Sequence, residues 1–383
     1  MKGDRYFICN IISDEKFIDG AIECFDLYAD KWDMQWIICQ NINQELKYIK
    51  RHSERVFNIS ENVVLQYLAE NKFDAVILHS FGVVSPIIIK QIPKEIKVFW
   101  FGWGYDIYNY PEHKPFLKWN LYKPITNKYI KTSTYKNIRH FASKIKFFLM
   151  QKDNLYNKAF NRIDFFSGVV DFEYDLLKQN PKFRAHKVRF SYSSLDLINS
   201  YKNYEKYNGN NILVGNSAAI TNNHLDLLQY LKQIDLNNRK IIIPLSYAGP
   251  KKYVEDVVNL YKRTFNNNVI TLTDFMPFVE YKQYIQSCSS AIFFMNRQQA
   301  MGNIITALKL GCKVFLSENN PIYEYYKDLG MNIFSVEQDL SNENFNICLT
   351  DKEIENNRNI LKNINDYDAT LNKLETIYQA IYS

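Results

Sequence analysis

No stretch of this chain reaches the ~18 uninterrupted apolar residues that a membrane-spanning helix needs. Nothing near its start resembles a signal-peptide core, because Asn10 and Asp14 interrupt the apolar residues after Met1-Lys2-Gly3-Asp4-Arg5; export is not expected. The cysteines at 9, 24, 39, 288, 312 and 348 form no CxxC pair and no metal spacing, and they read as reduced core residues of a cytoplasmic protein. There is no GxGxxG after the first strand-like run and no GxxxxGK[ST] anywhere, which argues against dehydrogenase and P-loop chemistry. No acidic cluster suggests a metal either. Asp366-Tyr367-Asp368 has a DxD spacing but stands in a polar C-terminal segment far from any strand end, so neither a metal nor another cofactor is expected.

One further absence is local. Between His113 and Lys152 there is no acidic residue, while ten basic residues stand there, among them Lys114, Lys118, Arg139, Lys144 and Lys146. That segment alone exceeds the net charge of +6 of the whole chain. Phe116, Trp119, Tyr122, Tyr129, Phe141, Phe147 and Phe148 are interleaved with the cations. Long-stemmed cations beside aromatics suit an anionic membrane surface, at ~1 kcal/mol per Lys or Arg close to it. Nucleic acid and a solvated helical face are the rival readings. The membrane surface is the expectation carried forward, with no nucleic-acid partner.

What is present is β/α alternation, repeated twice. At 383 residues the chain is too long for one core, and two domains are expected. In the first half, strands are predicted at Tyr6–Ile12, Gln35–Cys39, Asp74–His79 and Val98–Phe101, with helices near Phe17–Tyr28, Glu61–Glu70 and Ser85–Gln91. After the basic insertion at 113–152, alternation returns with Ile163–Gly168 and a helix over Phe172–Lys178. The polar stretch 199–211 lacks apolar periodicity and reads as a linker. A second alternation follows, with strands at Ile212–Val214, Lys240–Pro244, Val269–Leu272, Ala291–Met295 and Lys313–Leu316. The expected class is α/β: two doubly wound, Rossmann-like domains, 1–198 and 212–365, facing across a cleft. A C-terminal helix over 366–383 packs on a domain that the pattern leaves open.

The sharpest motif is Asn296-Arg297-Gln298-Gln299-Ala300-Met301-Gly302-Asn303, between an apolar strand and an amphipathic helix that ends at Gly311. Strand, Gly-containing turn and helix start together supply backbone N–H groups and a positive dipole end for a diphosphate. Arg297 adds a forked cation; Gln298 and Asn303 add neutral hydrogen-bonding groups, and Gly302 gives close approach. Three other strand ends present similar groups. Gly215, Asn216 and Ser217, followed by Asn222, suit a phosphate oxygen; Ser246 and Tyr247 end a second strand; Phe275 and Met276 offer flat apolar surface to a base. Ligands of open α/β sheets bind outside the carboxyl ends of the strands, so these four ends define the expected site for a nucleoside-diphosphate donor.

These segments, Val214-Gly-Asn-Ser with Asn222-Asn-His, Ile243-Pro-Leu-Ser-Tyr, Met276-Pro-Phe and Arg297-Gln-Gln-Ala-x-Gly-Asn-Ile, resemble one bacterial family. It is the dTDP-N-acetylfucosamine:lipid II N-acetylfucosaminyltransferases of enterobacterial common antigen synthesis. Trp100-Phe-Gly-Trp-Gly-Tyr-Asp-Ile-Tyr108 is similar to that family's aromatic W-G-x-D-x-Y segment, and the likeness runs over about 80–340 by scattered motifs. The resemblance implies a GT-B glycosyltransferase with the donor in the second domain and the acceptor in the first. It also implies a peripheral protein at the cytoplasmic face of the plasma membrane and an undecaprenyl-diphosphate-linked saccharide acceptor. Thr306 stands where many GT-B enzymes carry a Glu for the ribose hydroxyls; a deoxyribose needs a weaker partner, a hint of dTDP.

Glycosyl transfer requires activation of an acceptor hydroxyl and stabilisation of an oxocarbenium-like centre. His79 and Asp106, at first-domain strand ends, are the expected catalytic groups. Trp103, Tyr105 and Tyr108 would face the acceptor sugar, and Glu324, after Pro321-Ile-Tyr, a donor hydroxyl. The expected activity is metal-independent transfer of 4-acetamido-4,6-dideoxygalactose from dTDP. The alternatives are another donor, fucose- or UDP-linked, for O-antigen or capsule, and a non-catalytic membrane-associated scaffold that retains the nucleotide pocket.

Overall fold

The structure is a computed structural model and describes residues 5–40, 45–108, 120–132, 155–193, 195–200 and 204–382. The chain divides into two compact units, residues 1–117, 139–200 and 364–383 in the first and residues 118–138 and 201–363 in the second. Of the basic residues singled out above, Lys114, Lys118, Arg139, Lys144 and Lys146 lie outside the described residues. No helix among the described residues is long and apolar enough to cross a membrane.

The first unit is built on β1 (Tyr6–Ile12), β2 (Trp32–Ile38), β3 (Val56–Asn58), β4 (Ala75–His79), β5 (Lys97–Phe101), β6 (Phe165–Ser167) and β7 (His186–Lys187), in the order β3-β2-β1-β4-β5-β6-β7. Every pairing is parallel, so both faces need cover, and β1 and β4 read as almost continuous apolar runs for that reason. The sequence pattern did not single out β3 or β7, which have three and two residues and are largely exposed. The final helix, Tyr367–Tyr382, packs here: Leu374, Ile377 and Ile381 join Ile8, Phe25, Trp32 and Trp36 in the core. Lys373 on that helix donates to Ser191 Oγ at 2.7 Å and to the Ile364 carbonyl at 2.6 Å.

The second unit repeats the plan with β8 (Asn211–Val214), β9 (Ile241–Pro244), β10 (Val269–Leu272), β11 (Cys288–Phe293), β12 (Lys313–Leu316) and β13 (Phe334–Ser335), in the order β10-β9-β8-β11-β12-β13. The strand expected at Ala291 begins three residues earlier, at Cys288. Ser289 and Ser290 can be buried in it because Arg239 Nη2 donates to their hydroxyls at 3.0 and 2.8 Å. In both sheets the chain winds one way from the first strand and then returns to its other side. The switch points are β1/β4 in the first unit and β8/β11 in the second, and there the loops on neighbouring strands diverge and leave room for a ligand.

Part of the expected first-domain insertion belongs to the second unit. The helix Pro124–Thr132 packs on the helix His224–Leu231, and Asp226 on the latter accepts from the Ile125 and Thr126 amides, both at 2.8 Å. Tyr129 Oη donates to Asp256 at 2.8 Å.

Candidate active site

The loops at the β8/β11 switch point are bonded into one network. Gly215 follows β8 with φ +68°, and a Cβ there would stand 2.8 Å from Asn222 Oδ1, so the turn accepts only glycine without strain. The Asn216 amide donates to Asn222 Oδ1 at 3.2 Å, and Asn222 Nδ2 donates to Ser217 Oγ at 3.2 Å and to the Ala219 carbonyl at 3.1 Å. Ser217 and Asn222 are buried; they shape this turn rather than meet a phosphate as expected. Asn216 reaches outward: its Nδ2 donates to Tyr247 Oη at 3.1 Å, beyond β9. Gln299 Nε2, beyond β11, donates to Asn216 Oδ1 at 3.1 Å, and Thr221 Oγ1 donates to Gln299 Oε1 at 2.7 Å. Three strand ends are therefore joined through Tyr247, Asn216, Gln299 and Thr221. Thr221 carried no sequence signal, because its neighbour in space lies 78 residues away.

Beyond Gln299, Ala300 has φ +65° and starts the helix Met301–Lys309, whose first-turn amides have no intrahelical partner. An alanine in this left-handed region is strained by about 1 kcal/mol, a feature typical of functional loops. Gly302 is exposed, and a Cβ on it would meet no atom within 4 Å, so no packing contact of this unit requires a glycine there. Arg297 is half-buried on the same loop. Gln298 is buried, and its Oε1 has no hydrogen-bond donor among the described residues. An orphaned buried acceptor costs about 1–3 kcal/mol, which a bound donor group would recover.

Other expected residues at this edge are occupied or peripheral. Asn303 Nδ2 donates to Tyr281 Oη at 2.8 Å, and Thr306 Oγ1 donates back to the Gly302 carbonyl at 2.7 Å; both residues are half-buried. Phe275 is 77% exposed and Tyr247 43%, which puts two aromatic faces at the ends of β10 and β9. Ser246 and Met276 are half-buried beside them, and Glu324 is exposed in the first turn of the helix Pro321–Asp328, after β12. His224, not singled out before, is fully buried, with Nδ1 3.2 Å from Tyr253 Oη and Nε2 beside Gly215. Burial pushes its imidazole down to about 3, so it is neutral.

In the first unit the two expected catalytic groups are fully buried, and this corrects their reading. His79 Nδ1 is 2.8 Å from Tyr192 Oη and Nε2 is 3.0 Å from Asn10 Oδ1; burial pushes its imidazole down to about 3. With both nitrogens taken, it ties β4 to β1 and cannot receive a substrate proton. Asp106 accepts from the Phe81 amide at 2.9 Å, Trp100 Nε1 at 2.8 Å and the Trp103 amide at 2.8 Å. It organises the loops beyond β4 and β5. Tyr108 is also fully buried and cannot stack on a sugar. Tyr105 is exposed, its Oη 2.7 Å from Ser80 Oγ, and the half-buried Trp103 ring packs edge-on beside it.

The missed residue at this edge is Glu15. It follows β1, at the β1/β4 switch point, half-buried and electrostatically coupled to Tyr105. Asp14 next to it is spent on the Lys47, Tyr48 and Ile49 amides, whereas the Glu15 carboxylate makes no hydrogen bond among the described residues. Burial raises its pKa above the usual glutamate value. Its sequence context, Ser-Asp-Glu-Lys, looks like an ordinary polar loop.

Residues 135–353, more than half of the chain, match the family model for 4-α-L-fucosyltransferases, glycosyltransferase group 56. The chain belongs to glycosyltransferase group 56. Solved structures are similar over nearly the whole length. A glycosyltransferase from Rickettsia africae is 14% identical with a TM-score of 0.61, covering 99% of each chain. Sucrose-phosphate synthase from Thermosynechococcus elongatus is 12% identical with a TM-score of 0.66, again over 99% of each chain. Anabaena HepE, solved in complex with UDP-glucose, is 14% identical with a TM-score of 0.63, over 98% of this chain and 99% of its own. At such identities the likeness is one of fold, and with the two parallel sheets it makes this group 56 protein a GT-B glycosyltransferase.

Proposed function

We propose that this group 56 enzyme transfers 4-acetamido-4,6-dideoxygalactose from dTDP to an undecaprenyl-diphosphate-linked saccharide, without a metal, in bacterial surface-polysaccharide synthesis. The observation that carries the donor half is the bonded switch point: Tyr247, Asn216, Gln299 and Thr221 join loops on three strands beside Arg297 and the start of the Met301–Lys309 helix. Arg297 and the first-turn amides take the charge that develops on the leaving diphosphate, the electrostatic work a metal would otherwise do. Tyr247 and Phe275 receive the base, Thr306 the deoxyribose and Glu324 the sugar. The fucosyltransferase description of the family supports a 6-deoxy sugar, and the motifs quoted above support the acetamido form. In the first unit, Trp103 and Tyr105 face the acceptor saccharide, and Glu15 takes the proton of its hydroxyl. A UDP-linked donor is the second reading, favoured by the UDP-glucose complex of HepE.

Calorimetric titration of dTDP and UDP, with and without EDTA, tests this. EDTA-insensitive binding with dTDP tighter than UDP is expected, and Arg297→Ala should weaken it about ten- to a hundredfold. Preference for UDP moves the donor and keeps the transferase. Binding of neither overturns the donor site and favours the scaffold.

A further inference from the structure

The donor loops are not held by the second half of the chain alone. Asn296, immediately before Arg297, donates from Nδ2 to the Asn120 carbonyl at 2.7 Å. Its Oδ1 lies 3.0 Å from Ser317 Oγ, which is fully buried and also 2.8 Å from Glu337 Oε1, so the one hydroxyl proton serves either acceptor. Glu337 is paired with Lys123 Nζ at 2.6 Å and accepts from the Glu318 amide at 3.1 Å. The Lys123 and Glu337 side chains are only 10% and 21% exposed, and the ammonium also sits 4.0 Å above the Phe294 ring. The ring of contacts thus returns to the segment where it began, residues 120–123.

The same segment grips the other loop of the switch point. The Lys123 amide donates to Asn223 Oδ1 at 3.0 Å, and Asn223 Nδ2 donates to the carbonyls of Phe294 at 3.0 Å and Thr221 at 3.1 Å. Asn223 has φ +54°, a left-handed conformation that asparagine tolerates. Asp226 then fixes the start of the helix that continues the segment. Both loops that diverge from β8 and β11 are therefore tied to one stretch of chain drawn from the first half of the sequence.

We propose that residues 120–126 act as a strap that sets the distance between the Gly215 turn and the Arg297 loop, with Lys123 as a positioning residue for the donor diphosphate. The proposal rests on the donor assignment above. The Gly215 turn is bonded to the Arg297 loop through Asn216 and Gln299, so an error in the spacing of the two loops displaces the groups that meet the diphosphate. The base, bound by Tyr247 and Phe275 beyond β9 and β10, depends on it little. Lys123 itself touches no donor atom in this account; it acts through Glu337, Ser317 and Asn296.

The test compares UDP with UMP and dTDP with dTMP by calorimetry on the full chain. Lys123→Met should weaken the diphosphates by about tenfold or more while the monophosphates change less than about threefold, and Lys123→Arg should recover most of the loss. A role in folding alone would lower both nucleotides together, or neither. Lys123→Met binding mono- and diphosphates as the wild type does, or losing both equally, overturns the strap. Should Lys123→Met not fold, Asp226→Asn loosens the strap from its other end and must shift the same ratio. A wild-type chain that binds no nucleotide sinks the donor assignment itself, an outcome distinct from a variant with an unchanged ratio.

Discussion

Burial sorts the carboxylates at the carboxyl edge of the first unit by what each can exchange with a substrate. Asp106 is enclosed by three N–H donors, its pKa raised by burial and held back by those bonds. Glu173 is also fully buried, and burial pushes it up to about 8 despite the Val169 and Val170 amides. Its folded pKa lies above its unfolded value near 4.5, so the folded chain holds the extra proton. The stability this supplies is complete below the unfolded value and is lost as pH rises through the folded one. Thermal midpoints should therefore fall between about pH 5 and 8, and Glu173→Gln should flatten that decline. A wild-type midpoint that is level across the range would refute the assignment. Glu15 alone combines partial exposure with a carboxylate that makes no hydrogen bond among the described residues at this edge. Glu15→Gln should lower sugar transfer by about 10²–10⁴-fold, with nucleotide affinity unchanged. Transfer within a few-fold of wild type would remove Glu15 from the chemistry.

Elements were legible where their pattern is local. β1, β4, β8 and β9 are short apolar runs bounded by polar turns, and they stand within a few residues of where periodicity places them. β7 and β13, two residues each, have no pattern to read; neighbours that pair with them from one side create them. The start of β11 was hidden because Ser289-Ser290 is polar, and Arg239 and Asn210, on other segments, make its burial tolerable. The helix Pro124–Thr132 was swallowed by the basic segment around it. What distinguishes it is Asp226, a hundred residues later, and a carboxylate that caps a helix from that distance leaves no mark in the helix's own sequence. For the same reason Lys123, counted with the surface cations, turns out to be a paired interior group.

For the molecule as a whole, charge and topology make different kinds of statement. The segment 113–152 carries ten basic residues within a chain of net charge +6, so the remainder is net acidic. A run of cations in an otherwise acidic chain attracts an anionic surface. Replacing Arg139, Lys144 and Lys146 together by glutamine should weaken binding to phosphatidylserine-containing vesicles several-fold at low salt. The difference should shrink at high salt as screening sets in. Co-sedimentation that is unchanged by the substitutions would leave this segment a solvated face.

The sequence by itself determined the doubly wound class, the two-unit plan and the Arg297–Asn303 loop, because hydrophobic period and strand–turn–helix chemistry are written in consecutive residues. It also named Gly215, whose positive φ only glycine adopts cheaply. Which of the polar groups are enclosed by the fold was decided by the tertiary structure. His79, Asp106 and Ser217 look as available in sequence as Glu15. Burial and hydrogen-bond saturation separate them, and both depend on partners brought from other strands by the sheet order. A side chain's chemistry is local, but its freedom to use that chemistry depends on what the fold has already bonded to it.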